Sequence, residues 1–332
     1  MKIPSAVWLN HFQSPHAGFC PQVAAASIEA ARDAYFNDHR VDSTLAAAGF
    51  VFAQLYTQGN LQVVTGTRVI EQPDGQASLV VAVVFRGTDE GLDWFYNLNA
   101  DLVPFDNKRS GRSGERERTA RVHQGFYALE RRFESLFPEI QLETGTGKRS
   151  LQELLQQESD RNQLRFWVVG HSLGGAVGTI FLLRLLSEYQ ILPGRAAAYT
   201  FGAPPVGNRV LAARFGHGHT GHTIDPADRA RIYRIINTED PIPGARIGRH
   251  DLAHKERGFL PRPPYAYLGL HHIGQEYRFS PRTVSEYFKL YHELSGHSYN
   301  SWHLADVHFI KAYQVGMMKI LNDVRKKNAH PE

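Results

Sequence analysis

LRFWVVGHSLGGAVGTIFLLRLLSEYQ (residues 164–190) sets a short, largely apolar run directly before Gly170-His171-Ser172-Leu173-Gly174 and a long apolar pattern directly after it. A run of that length without polar alternation suits a strand buried on both faces. Residues 173–190 carry a helical pattern. A G-x-S-x-G sequence between strand and helix describes a sharp turn, which holds its serine at strained backbone angles with the hydroxyl above the sheet. Glycine is needed on either side because the turn brings backbone and helix too close for side chains. Gly175 and Gly178 extend that close approach along the helix. The helix start also aims free N–H groups and a partial positive charge at the serine. Ser172 is therefore the candidate nucleophile, against the plainer reading of a Gly/Ser turn.

Working outward, helical periodicity covers 22–36, 124–138, 149–157, 208–215, 282–293 and 298–322. Strand patterns cover 61–70, 78–85, 196–201 and 231–236, with EQPDGQA (71–77) a turn between the first two and a hairpin around 265–280. Strands alternating with helices predict an α/β fold, a mostly parallel central sheet with helices on both faces. No composition break marks a boundary, so residues 1–332 read as one domain. The Arg-rich stretch at 106–121 reads as an exposed loop.

A serine hydroxyl needs a histidine to take its proton and a carboxylate to hold that histidine. On this kind of elbow the chain order is Ser, acid, His. Asp240, in RIYRIINTEDPIP, follows a strand pattern and precedes Pro241, with Glu239 as the fallback acid. The bland reading of Asp240 is a turn residue before proline, and Asp225 and Asp228 read that way too. Among His292, His297, His303 and His308, His297 sits before Ser298, an N-cap for the last helical pattern. His303 is the fallback, although it and His308 fall within the helical pattern. His271 and His272 read as structural.

Together these blocks resemble the class 3 (fungal-type) lipase family of α/β-hydrolases. VVFRGT (83–88), VHQGFY (122–127), GHSLGGA (170–176), FGAPPVGN (201–208), NTEDPIP (237–243) and GHSYNSW (296–302) are similar to its blocks, in its order. The resemblance implies an α/β-hydrolase fold with a short lid helix, and a serine ester hydrolase using a Ser172–Asp240–His297 triad and an acyl-enzyme. It implies Thr88 and Leu173 as the oxyanion hole, and Arg86 and His123 as scaffold. The lid would span about 89–100; there Leu92, Phe95 and Tyr96 share a helical face while Trp94 points elsewhere. Such a helix either opens on a lipid surface or packs down as fixed structure. The implied substrate is an acyl-ester lipid at a lipid–water interface, most simply a triacylglycerol. A short-chain esterase, a phospholipase or a silent lipid- or partner-binding fold are the alternatives. The family reaction needs no organic cofactor.

Composition narrows the remaining classes. The 332 residues are 42% hydrophobic and 21% charged, which excludes wholesale disorder. Lys+Arg 37 against Asp+Glu 33 leaves +4, not the charge of a dedicated nucleic-acid binder. The single Cys20 excludes an intramolecular disulfide. His217, His219 and His222 in GHGHTGH invite a metal reading, but without a neighbouring Cys or an H-E-x-x-H helix the expectation is no metal. Neither a membrane span nor a signal peptide is visible, so the expected location is cytoplasmic, or secreted by a leaderless route.

Overall fold

A computed structural model of the chain describes residues 3–13, 17–36, 40–71, 75–88, 101–105, 119–216, 229–238, 240, 242–243, 270–279 and 310–329. From the N-terminus come helices α1 (Ser5–Gln13), α2 (Pro21–Asp33) and α3 (Arg40–Ala47), then strands β1 (Val51–Gln58), β2 (Leu61–Glu71) and β3 (Ala77–Phe85). Next are β4 (Leu102–Pro104), β5 (Arg121–His123), α4 (Gln124–Ser135), β6 (Gln141–Glu143), β7 (Lys148–Ser150), α5 (Leu151–Gln156) and α6 (Glu158–Arg161). Then follow β8 (Leu164–His171), α7 (Leu173–Ser187), β9 (Ala196–Phe201), β10 (Gly207–Asn208) and α8 (Arg209–Arg214). The last are β11 (Ile232–Asn237), β12 (Leu270–His271), β13 (Gln275–Phe279) and α9 (Ile310–Ala329).

Seven strands form one sheet in the order β1-β2-β3-β8-β9-β11-β13. β1, β2 and β3 pair antiparallel, and every pairing from β3 to β13 is parallel. Alternation along the central strands feeds two cores. Val81, Val83, Phe166 and Val168 enter one with α4 and α7; Val80, Ala82, Trp167 and Val169 enter the other with α1, α2 and α9. All of β8 is buried, as expected for a strand covered on both faces. No helix among the described residues is long and apolar enough to cross a membrane.

The predicted hairpin around 265–280 is not one. Within the described 270–279, β12 pairs with β10 in a small four-stranded sheet, while β13 runs parallel to β11 at the edge of the main sheet. Gly274, at φ 117°, lies between them and lets consecutive strands part to different sheets. The last helix runs on to Ala329, past the expected end at 322, and the helix expected at 149–157 is shortened by the β6–β7 hairpin. α5 starts at Leu151 because Ser150 and Glu153 cap it reciprocally. Helices α1 and α3 and strand β1 had no counterpart in the sequence reading.

Helix α7 is nearly all buried, including Arg184. Arg184 donates to both Glu130 oxygens (2.9 and 2.7 Å) and to Glu134 (2.7 Å) on α4, and to Glu188. One guanidinium thus ties the two helices of that layer together. Burial pushes the Glu130 carboxyl up to about 7 while Arg184 pulls against it. Arg184→Leu, which leaves Glu130 buried and unpaired, is expected to cost about 3–5 kcal/mol. An unchanged urea midpoint would remove this clamp from the account.

His123 caps α4, its Nδ1 accepting from the Phe126 N–H at 3.4 Å, and it is buried against the Phe126 ring. Burial pushes its imidazole down to about 4. Above pH ~6.5 the ring is neutral in both states and the cap contributes fully. As pH falls from ~6.5 to ~4 the unfolded chain takes up a proton that the folded one refuses, so stability drops by about 3 kcal/mol and then levels. His123→Asn keeps a capping acceptor without a titrating group. Its stability relative to wild type should therefore rise across that window; parallel pH profiles would contradict the assignment.

Candidate active site

At the end of β8 the chain reverses into α7 through Ser172, which stands at φ 56°, ψ −126°. Among the described non-glycine residues only Ser172 and Gln190 have positive φ. The Ser172 N–H donates to the Phe201 carbonyl (2.8 Å), and its own carbonyl accepts from Gly175 (3.0 Å) and Ala176 (3.2 Å). It is thus fixed to β9 on one side and to the first helical turn on the other. A Cβ at Gly170 would lie 2.3 Å from the Gly174 carbonyl carbon, and one at Gly174 would lie 2.3 Å from the Phe85 carbonyl oxygen. These glycines are required by contact, as the spacing predicted. Leu173 is the first residue of α7, so its N–H is among those with no intrahelical acceptor.

The approach of Gly174 to Phe85 and Arg86 also places the end of β3 beside the elbow. Arg86 is held by its N–H to the Gln62 carbonyl (3.0 Å). A Cβ on Gly87 would come within 2.8 Å of the His171 carbonyl oxygen. Thr88, half-buried, follows at once. The Arg86–Thr88 turn and the His171–Ser172 turn therefore touch.

Asp240 lies three residues beyond β11 and is fully buried. Its Oδ1 accepts from the Ile242 N–H at 2.9 Å and its Oδ2 from the Tyr313 hydroxyl at 2.5 Å. Gly202, at φ 60° just after β9, leaves the space both groups fill: a Cβ there would lie 3.0 Å from Asp240 Oδ2 and 2.9 Å from the Tyr313 oxygen. β8, β9 and β11 are parallel neighbours, so Ser172 and Asp240 both follow carboxyl ends of strands at the same edge of the sheet, with only β9 between those strands. That edge, outside the carboxyl ends of parallel strands, is where open α/β sheets hold ligands.

His297 and His303 lie outside the described residues, as do His292, His308, Glu239, the lid positions Leu92, Trp94, Phe95 and Tyr96, and the histidine cluster at 217–222. His272 packs as expected of a structural residue, its Nε2 hydrogen-bonded to the Pro243 carbonyl. Two residues were missed. Tyr313, on α9, contacts Asp240 through its hydroxyl and the His171 ring edge-on at 5.6 Å. Tyr35, just past α2, shares a 2.7 Å hydrogen bond with His171 Nδ1. Both fall within the helical patterns at 22–36 and 298–322, which did not single them out; an Asp-before-Pro needing a donor was the one hint toward Tyr313.

The backbone angles of Ser172 suit glycine, and such a position costs a side-chain-bearing residue about 1–3 kcal/mol. Ser172→Gly should therefore be more stable than Ser172→Ala by about 1 kcal/mol or more. Equal denaturation midpoints for the two variants would mean that the turn stores no strain.

A family model described as Lipase (class 3) matches residues 82–248, half of the chain. Triacylglycerol lipase OBL1 of Arabidopsis thaliana is 25% identical over 252 residues, covering 71% of this chain and 41% of that protein. Phospholipase A1-II 1 of Oryza sativa is 29% identical over 176 residues, covering 52% of this chain and 41% of that protein. The chain thus matches well under half the length of these relatives. The triacylglyceride lipase structure from Rhizomucor miehei is 18% identical with a TM-score of 0.46, covering 78% of each chain. With the family model spanning the RGT turn, the serine elbow and Asp240, this chain belongs to the class 3 lipase family.

Proposed function

We propose that the chain is a serine ester hydrolase acting on acyl-ester lipids, with triacylglycerols as the first substrate class to test. The observation that carries this is Ser172 at φ 56° on a strand-to-helix turn, sharing a sheet edge with the buried, doubly hydrogen-bonded Asp240. In this reading Ser172 attacks the ester carbonyl while His297 takes its proton and later delivers it to the leaving alcohol. Asp240 orients the imidazole and stabilises its cation. The backbone N–H groups of Thr88 and Leu173 receive the oxyanion, each worth about 3 kcal/mol in the transition state. Water, deprotonated by the same histidine, attacks the acyl-enzyme and releases the fatty acid. His303 is the alternative base.

In this reading residues 89–100, with Leu92, Trp94, Phe95 and Tyr96, are the lid. The second reading is a phospholipase A1, favoured by the name of the rice relative. Initial rates on triacylglycerols, phosphatidylcholine and short soluble esters, below and above their solubility limits, separate the readings. A rate jump at the interface with long-chain triacylglycerols is expected. Preference for phosphatidylcholine would select the second reading, and a smooth preference for short esters would make the protein an esterase and demote the lid. Ser172→Ala should lower kcat by about 10⁴-fold or more, and Asp240→Asn by about 10⁴-fold. His297→Ala should match Ser172→Ala; if His303→Ala does so instead, the base is His303. An alanine variant at 172 as active as wild type would end the serine mechanism.

A further inference from the structure

We infer that Tyr35 is a positioning residue for the oxyanion hole, acting on Thr88 through Gly87 and His171; this rests on the hydrolase reading above. The Tyr35 hydroxyl shares a 2.7 Å hydrogen bond with His171 Nδ1, and a Cβ on Gly87 would lie 2.0 Å from that same hydroxyl oxygen. The hydroxyl thus lies between the residue before the nucleophile and the residue before Thr88. The same Cβ would lie 2.8 Å from the His171 carbonyl oxygen. Gly87 is therefore seated on two points, a tyrosine hydroxyl and a peptide oxygen, and both are tied to His171.

That seat matters because the Thr88 N–H belongs to the same rigid peptide plane as the Gly87 carbonyl. Fixing Gly87 fixes the direction in which that N–H points. An oxyanion donor works only when it is already aimed at the charge that develops, and a misplacement near 1 Å costs about 100-fold in rate. Glycine, with the freest backbone of any residue, is a poor choice for holding a donor still. The contact explains both facts: nothing larger fits beside the hydroxyl, and the hydroxyl restrains what fits.

Tyr35 is itself well anchored. It lies two residues past the end of α2, its N–H donating to the Arg32 carbonyl at 3.1 Å. Val23, Ala24, Ile28 and Ala31 of that helix are buried in the core behind the sheet. The hydroxyl is thus presented from the turn that closes a packed helix.

The test is Tyr35→Phe, which removes one oxygen and keeps the ring. Hydrolysis of an ester is compared with that of the matching thionoester, whose sulfur profits much less from oxyanion-hole donors. Because the ester-to-thionoester ratio does not depend on how much protein is folded, a merely structural role for Tyr35 would leave it unmoved. The expected result is a fall in kcat for the ester of about 10- to 100-fold, KM within about two-fold, and a ratio lowered by about ten-fold. An unchanged ratio in Tyr35→Phe, whatever happens to its stability, overturns the inference. Ser172→Ala run alongside keeps the two failures apart. If that variant retains ester hydrolysis, the serine reading has failed and takes this inference with it. If it is inactive and the ratio is unmoved, the inference alone is wrong.

Discussion

The space of a single methyl group at Gly174 governs this architecture. Helix α7 reaches the end of β3 only because no Cβ stands between its first turn and the Phe85 and Arg86 carbonyls. Gly170 grants the same closeness between strand β8 and the helix it leads into. Were α7 displaced outward, the Leu173 N–H and the Thr88 turn would separate. The site is thus assembled by backbone approach before any reactive side chain is considered, and the strain at Ser172 is carried by the hydrogen bonds that over-determine its turn.

That geometry demands a helix buried on almost every side, and such a helix cannot shed polar groups to water. Arg184 shows how the demand is met. Its guanidinium is fully buried but engages three carboxylates, two of them on α4. Replacing one partner leaves an uncompensated charge, which is why the pair's removal and its truncation differ so much in cost. The arrangement locks α4 against α7. It contributes no chemistry, yet it is continuous with the element that starts at Leu173.

The parts legible in the sequence share one property: their cause is local. The apolar run of β8, the glycines of the elbow and the Asp-Pro step after β11 each declare themselves within a few residues. The β2–β3 turn did so through Asp74-Gly75. What was missed depends on partners distant in the chain. β12 and β13 are neighbours in sequence that pair with β10 and β11 in different sheets, so no local pattern separates them from a hairpin. β1 lies at the sheet edge, with Val51 and Leu55 exposed, so it lacks the buried alternation that marks a strand. Tyr35 and Tyr313 are aromatic residues in helical stripes, and only the fold reveals that their hydroxyls reach the sheet edge. His297 and His303 lie outside the described residues, and no sequence spacing chooses between them.

These two tyrosines also show how the site is supported. Tyr35 arrives from the N-terminal part of the chain and Tyr313 from its last described helix, and both rings lie edge-on to His171 at 5.8 and 5.6 Å. One hydroxyl reaches Gly87 and the other Asp240, so the layer behind the sheet touches both the Arg86–Thr88 turn and Asp240. α2 and α9 are packed in the same core. A change in how those two helices meet would move both hydroxyls, whereas a change within α4 and α7 acts on Ser172, Leu173 and the contact with the Phe85 and Arg86 carbonyls. The two faces of the sheet therefore support this end differently: the α7 layer holds the strained Ser172, and the α2–α9 layer brings tyrosine hydroxyls to Gly87 and Asp240.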